Sequence, residues 1–75
     1  MDIKQKIGKR IKELRALKGF SQEELAARAD IDRTYVNSVE NGKRNISIVN
    51  IEKIAKALNT DFAVFFDELN IKLNI

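Results

Sequence analysis

The chain has 75 residues and a net charge of +3, which allows one domain and leaves no room for a separate substrate domain. It contains no cysteine and no histidine, so the composition predicts no disulfide framework, no zinc site and no histidine general base. We expect neither an enzyme nor a cofactor, because no catalytic set can be assembled. The sequence contains no apolar run long enough for a signal peptide or a membrane span. We therefore expect a cytoplasmic protein.

The charge is distributed unevenly along the chain. Residues 1–46 carry 11 Lys or Arg and 7 Asp or Glu, whereas residues 47–75 carry 3 Lys and 4 Asp or Glu. The basic N-terminal part favours an anionic partner such as nucleic acid. Because the excess of basic over acidic residues is small, the charge alone is only a weak indication.

The first two predicted helices cover about residues 3–18 and 22–29. The apolar face of the first has helical spacing and consists of Ile7, Ile11, Leu14 and Leu17. Gly19 is placed to end that helix in the left-handed conformation. Ser21 and Glu24 have the spacing of a capping box, in which each side chain bonds the backbone N–H of the other residue.

Three further helices are predicted, over about residues 33–41, 48–58 and 62–70. Their N-caps are Asp32, Ser47 and Asp61. Absence of proline and of any convincing strand indicates an all-α fold, a single domain of five short helices over residues 1–75. Lys4, Lys6, Lys9 and Lys12 are expected on a solvated face, with Lys9 or Arg10 able to touch a nucleic-acid backbone.

Residues 21–41 have the length of a helix-turn-helix, a motif in which the second helix enters the major groove of DNA. Gln22 begins the first helix, where an amide and free backbone N–H groups can bind a phosphate. Arg33 and Thr34 begin the second, and Asn37 and Ser38 follow one turn later on the same polar face. Arginine suits guanine, asparagine suits adenine and the threonine methyl suits thymine, so this face is a candidate for base recognition.

The chain resembles the phage repressor and Cro-type (XRE-like) helix-turn-helix family. The resemblance rests on Ser21-Gln22-Glu23-Glu24-Leu25-Ala26, Asp32-Arg33-Thr34-Tyr35 and Glu40-Asn41-Gly42, and extends over about residues 7–66. A narrower likeness, to the controller proteins of restriction–modification systems, rests on Arg33-Thr34-Tyr35, Arg44-Asn45 and Phe65-Phe66. It implies a compact five-helix lambda-repressor-like domain.

The resemblance also implies roles for individual residues. The expected base contacts are Arg33, Thr34, Tyr35, Asn37, Ser38 and Arg44. The expected backbone contacts are Ser21, Gln22, Lys43, Asn45 and Ser47. Tyr35 is equally compatible with a position in the core, and Lys43 and Arg44 are also compatible with a solvated loop. Arg15 and Glu40 match a partly buried ion pair with a structural role.

Residues 60–75 carry more apolar side chains than one narrow core face needs. They either fill the core or form a two-fold interface, for which the candidates are Val64, Phe65, Phe66 and Leu69. The resemblance implies a homodimer on a two-fold symmetric double-stranded DNA operator, with RNA polymerase as a further partner. The prediction is therefore a transcriptional regulator that activates and represses by operator occupancy. The alternatives are a phage-type repressor or an antitoxin of the same fold, and, in a different class, a helical protein-interaction module without DNA binding.

Overall fold

In a computed structural model, residues 2–67 are described, and they form five helices and no strand. The helices are α1 (Ile3–Lys18), α2 (Gln22–Ala29), α3 (Arg33–Glu40), α4 (Ile48–Ala57) and α5 (Phe62–Asp67). The all-α class is confirmed, and the predicted helix boundaries agree within one residue where they can be compared. The predicted continuation of α5 to residue 70, including Leu69, lies outside the described residues.

Polar side chains begin the helices as predicted. Ser21 Oγ accepts the Glu24 N–H at 3.0 Å and Asp32 Oδ1 accepts the Thr34 N–H at 2.8 Å. The other half of the predicted capping box is wrong, because the Glu24 carboxylate instead accepts from Arg28, one turn later, at 3.0 Å. A complete box stands at the start of α1, where Asp2 and Gln5 bond each other's backbone N–H groups.

The core is formed by side chains from all five helices. Helix α1 packs on α3, α2 packs on α3 and α4, and α4 contacts α5. Within residues 2–67, thirteen apolar side chains are buried: Ile7, Ile11, Leu14, Leu25, Ala26, Ala29, Val36, Val39, Ile51, Ile54, Ala55, Leu58 and Phe65. Leu17 was predicted among them, but its side chain is 80% exposed. It borders an open depression with Leu58 and Val64.

Arg10 was expected to be able to touch a nucleic-acid backbone, but it is only 7% exposed and is bonded within the fold. Its Nε donates to the Phe65 carbonyl at 2.9 Å and its Nη2 donates to the Val64 carbonyl at 2.8 Å. These bonds attach α1 to α5, although the bonded residues are 55 and 54 positions apart in the sequence. No helix within residues 2–67 has the length and apolar character needed to cross a membrane.

Candidate nucleic-acid interface

A three-residue turn connects α2 to α3. Asp30 ends α2 in the left-handed conformation, with φ 56° and ψ 50°, and the Ile31 N–H bonds back to the Ala26 carbonyl at 3.0 Å. Asp tolerates this conformation better than most non-glycine residues. Asp32 then caps α3, so the two helices meet with hardly any connecting chain. Ile31 is partly buried and packs against the core beneath the turn.

One side of α3 is buried and the other is open to solvent. Val36 and Val39 are fully or almost fully buried. Arg33, Thr34 and Asn37 are exposed, and Ser38 is partly exposed. A cavity of about 280 Å³ is lined by Gln22, Arg33, Thr34 and Asn37. The structure therefore brings four of the predicted DNA-contacting residues together on one polar, concave surface.

Tyr35 lies at the boundary between the core and the exposed face. Its side chain is partly buried and packs against the core. The Arg44 guanidinium carbon lies 5.0 Å from the centroid of the Tyr35 ring, within the range of a cation–π contact. This contact connects the first turn of α3 to the loop that follows the helix.

A basic loop leaves the end of α3. Gly42 has φ +70°, a conformation that favours glycine, and the Lys43 N–H bonds the Ser38 carbonyl at 3.0 Å. Lys43, Arg44 and Asn45 are all exposed beyond this turn. The loop ends at Ser47, whose Oγ accepts the Asn50 N–H at 3.1 Å and so caps α4.

Arg15 and Glu40 form an ion pair between α1 and α3. Arg15 Nε and Nη2 donate to the two carboxylate oxygens at 2.7 and 3.0 Å, while Nη1 donates to the Phe20 carbonyl at 2.8 Å. The Glu40 side chain is 2% exposed and that of Arg15 is 16% exposed. The hydrogen bond to Glu40 raises the pKa of Arg15, burial opposes the rise, and the negative charge adds to it. The ion pair therefore favours the charged form of the guanidinium.

Gln22 is held more tightly than its place at a helix start suggested. Its Nε2 donates to Glu40 Oε1 at 3.0 Å, and its Oε1 accepts from Asn37 Nδ2 at 3.1 Å. Asn37 Oδ1 in turn accepts from Asn41 Nδ2 at 3.2 Å. Gln22 and Asn37, predicted separately as a backbone contact and a base contact, are thus hydrogen-bonded to each other. Sequence reasoning missed Asn41, although its spacing of four residues from Asn37 on one helix is that of a side-chain pair.

The aromatic residues of α5 divide between the core and the surface. Phe65 is fully buried, so its assignment to a dimer interface is wrong: the ring has no surface left for a partner. Its neighbour Phe66 is partly buried and lies edge-on to it, with ring centroids 5.0 Å apart. Val64 is 51% exposed, and Phe62, which was not predicted at the interface, is 45% exposed.

Within the described range 2–67, no cluster of three or more His, Cys, Asp or Glu side chains is arranged to hold a metal ion. The interface described above consists of hydrogen-bond donors, amides and cations. Such groups recognise phosphates and base edges by charge and hydrogen bonding.

A capped short helix, a three-residue turn and a second helix with a polar outer face define the helix-turn-helix class. The chain belongs to the helix-turn-helix family, whose sequence profile matches residues 11–65. It is 48% identical over 69 residues to the control protein C.MunI from Mycoplasma sp, covering 91% of this chain and 93% of that protein.

Solved structures of restriction–modification controller proteins are also similar to this chain. The restriction–modification controller protein C.AhdI from Aeromonas hydrophila is similar with a TM-score of 0.81 and 49% identity, over 84% of this chain and 96% of that chain. The controller protein C.Esp1396I, as a tetramer in complex with its natural 35-base-pair operator, is similar with a TM-score of 0.86 and 38% identity. That likeness covers 92% of this chain and 91% of the controller.

Proposed function

We propose that this chain is a sequence-specific, DNA-binding regulator of transcription that acts as a homodimer, and that it serves as a restriction–modification controller. The observation that carries the proposal is the polar concave surface formed by Gln22, Arg33, Thr34 and Asn37 at the start of α3. The likeness to control proteins over nearly the whole chain supports the same function. The residues supply groups for binding DNA, and no catalytic step is proposed.

In this proposal α3 enters the major groove by its N-terminal end. Arg33, Thr34, Asn37 and Ser38 face the base edges, and Tyr35 and Arg44 reach bases from the edge of the same surface. Backbone phosphates are bound on either side by Ser21, Gln22, Lys43, Asn45 and Ser47. Contacts to phosphates fix the position of the protein and supply the salt-dependent affinity, while contacts to bases select the sequence.

A homodimer is proposed because one short helix reads only a few base pairs. Two copies related by a two-fold axis place two recognition helices about one DNA turn apart, roughly 34 Å, and double the sequence that is read. Val64 and Phe66 remain the proposed interface residues of α5, and Phe62 joins them because its ring is exposed on the same helix. Leu69 is retained as a candidate from the sequence.

Regulation in this proposal comes from occupancy of the operator, set by the concentration and the dimerisation of the chain. C.Esp1396I occurs as a tetramer on a 35-base-pair operator, a length of about 3.3 helical turns at roughly 10.5 base pairs per turn. That length accommodates two dimers side by side. By analogy we propose that one dimer of this chain at an operator activates transcription by contact with RNA polymerase, and that a second dimer at a neighbouring site represses it.

The test is a selection of bound sequences from a random duplex pool. The proposal expects a pseudo-palindrome whose half-sites lie one helical turn apart, bound with an affinity that falls steeply with salt. Sedimentation of the free protein and of its complex gives the number of chains in each. A protein-interaction module would enrich no sequence and would show no salt-dependent binding to any duplex, and either result would refute the proposal.

A further inference from the structure

The buried ion pair is connected to the exposed face of α3 by a continuous series of side-chain hydrogen bonds. Glu40 Oε1, which already accepts from Arg15, also accepts from Gln22 Nε2 at 3.0 Å. Gln22 Oε1 accepts from Asn37 Nδ2, and Asn37 Oδ1 accepts from Asn41 Nδ2. We call the three side chains Gln22, Asn37 and Asn41 the amide chain. It begins at an almost fully buried carboxylate and ends at the protein surface.

The direction of every bond in the amide chain follows from its buried end. A carboxylate can only accept hydrogen bonds, and a guanidinium can only donate them. Gln22 must therefore turn its NH₂ group toward Glu40, which leaves its oxygen toward Asn37. Asn37 must then donate to that oxygen through its own NH₂ group, so its oxygen faces Asn41. Without Glu40, each amide would be free to rotate by 180° and exchange its donor with its acceptor.

We propose that Glu40 is a positioning residue of the DNA interface: through the amide chain, it determines which atoms of Gln22 and Asn37 face the nucleic acid. The inference rests on the proposed function. After the internal bonds are made, Gln22 keeps one N–H, which suits a phosphate oxygen, and Asn37 keeps one N–H and one lone pair. Adenine presents an acceptor and a donor at fixed places in the major groove, so an inverted Asn37 amide no longer matches them.

Replacing the carboxylate by an amide tests this reasoning with almost no change of shape. In Glu40→Gln, the side chain no longer presents acceptors only: its NH₂ group faces either Arg15 Nε at the Oε2 position, or Arg15 Nη2 and Gln22 at the Oε1 position. The direction of the amide chain is then no longer fixed, and in the second orientation Gln22 must rotate in order to accept from the NH₂ group. That rotation reverses the direction of the bonds to Asn37 and Asn41. The recognition face keeps its outline but exchanges the positions of its donor and acceptor.

The experiment uses the duplex recovered by the wild-type protein from the random pool, together with its single-base-pair variants. Asn37→Ala first identifies the base pair at which discrimination depends on Asn37. Glu40→Gln is expected to reduce discrimination at that base pair roughly tenfold, the range expected for one bidentate contact. Discrimination at the base pairs that depend on Arg33 should stay unchanged. A purely structural Glu40 would leave the discrimination at every base pair intact or weaken all duplexes equally, and that result would overturn the inference.

Two variants control for damage to the ion pair. Arg15→Lys weakens the pair but leaves the acceptor-only carboxylate, so it should lower the thermal midpoint and preserve the pattern of discrimination. Gln22→Met leaves the ion pair intact but interrupts the amide chain, and it should cause the same base-pair-specific loss as Glu40→Gln. If Glu40→Gln does not fold, the comparison of Gln22→Met with Arg15→Lys decides the question.

The possible failures are distinct. A wild-type protein that selects no duplex refutes both the proposed function and this inference. Selective binding by the wild type, with unchanged discrimination in Gln22→Met and Glu40→Gln, refutes the inference alone. If Asn37→Ala has no base-specific effect, the inference is also overturned, because Asn37 would then make no base contact that the amide chain could orient.

Discussion

Gly8 of α1 leaves no space for a side chain, because the backbone carbonyl of Val39 in α3 occupies the position of a Cβ atom. The carbonyl oxygen of Glu40 would lie 2.8 Å from that atom as well. The two helices thus cross with their backbones in direct contact, beside Glu40 on α3 and about two turns of α1 before Arg15. This crossing sets the depth at which α3 sits on the core and therefore how far its polar face stands out.

Gly8→Ala should destabilise the fold by about 1–3 kcal/mol, the usual cost of overpacking. Alanine improves helix propensity by up to about 1 kcal/mol, but the overlap is with backbone oxygens that cannot rotate away. Urea denaturation measures the change, with the exposed neighbouring substitution Lys9→Ala as a control within about 0.5 kcal/mol of wild type. Equal stability of the Gly8 variant would mean that α1 and α3 can separate at little cost.

Arg33→Ala should relax discrimination at one or two base pairs by about 1–3 kcal/mol. The side chain is exposed and contributes nothing to the core, so the thermal midpoint should hardly move. Competition binding against single-base-pair variants of the selected duplex measures the effect. Lys12→Ala removes a comparable exposed charge from α1 and should leave discrimination intact. Uniform weakening on all sequences would reassign Arg33 to the DNA backbone.

Lys43→Ala should weaken binding to all duplexes by a similar factor. The residue is exposed in the loop beyond α3, where we propose a phosphate contact. Each phosphate contact releases about one counterion, so the slope of log K against log salt should become less negative by about 0.9. An unchanged slope would identify Lys43 as a solvated side chain of the loop.

Val64→Asp and Phe62→Asp should give folded proteins with weakened self-association, because both side chains are about half exposed. Phe65→Ala should instead cost about 3–5 kcal/mol of folding stability, since the ring is fully buried. Sedimentation equilibrium together with thermal denaturation separates the two effects. If both aspartate variants dimerise like the wild type, the two-fold contact lies on another face of the molecule.

The free energy of unfolding should vary by less than about 1 kcal/mol between roughly pH 6 and pH 9. A change of that size corresponds to a shift of less than one unit in the pKa of a single group. The chain has no histidine to titrate in this range. The pKa of Arg15 is raised in the folded state, so its stabilising contribution is complete below its ordinary pKa and is lost only as pH rises through the raised value. Thermal midpoints at several pH values check this. A strong dependence would require a titrating group outside Arg15.

Local sequence patterns predicted the helices and most of the core because those features depend on neighbouring residues. The spacing of Ile51 and Ile54 on α4, and of Leu58 at its C-cap, is sufficient to identify a buried face. Capping by Asp32 follows from side-chain chemistry at a helix start. The residues that we propose to face the DNA groove could be predicted in the same way, because they are the positions of α3 that remain once Val36 and Val39 are assigned to the core.

The errors share one physical origin: they concern the end of a helix or its contact with a distant segment. Leu17 continues the apolar face of α1, but no element of residues 2–67 covers its side chain. Arg10 is buried by α5, whose carbonyls lie more than fifty positions further along the chain. Phe65 and Phe62 belong to one aromatic helix, and only the docking direction of α5 decides which ring is buried.

The separation of buried and exposed positions on α3 has a consequence for redesign of the protein. Arg33 and Thr34 project from the helix without supporting the core, so new side chains there could change the preferred DNA sequence while the scaffold stays as stable as before. Asn37 is different, since its amide is bonded to both Gln22 and Asn41. A library that varies position 37 alone would break these bonds, whereas one that varies positions 22, 37 and 41 together could recover them.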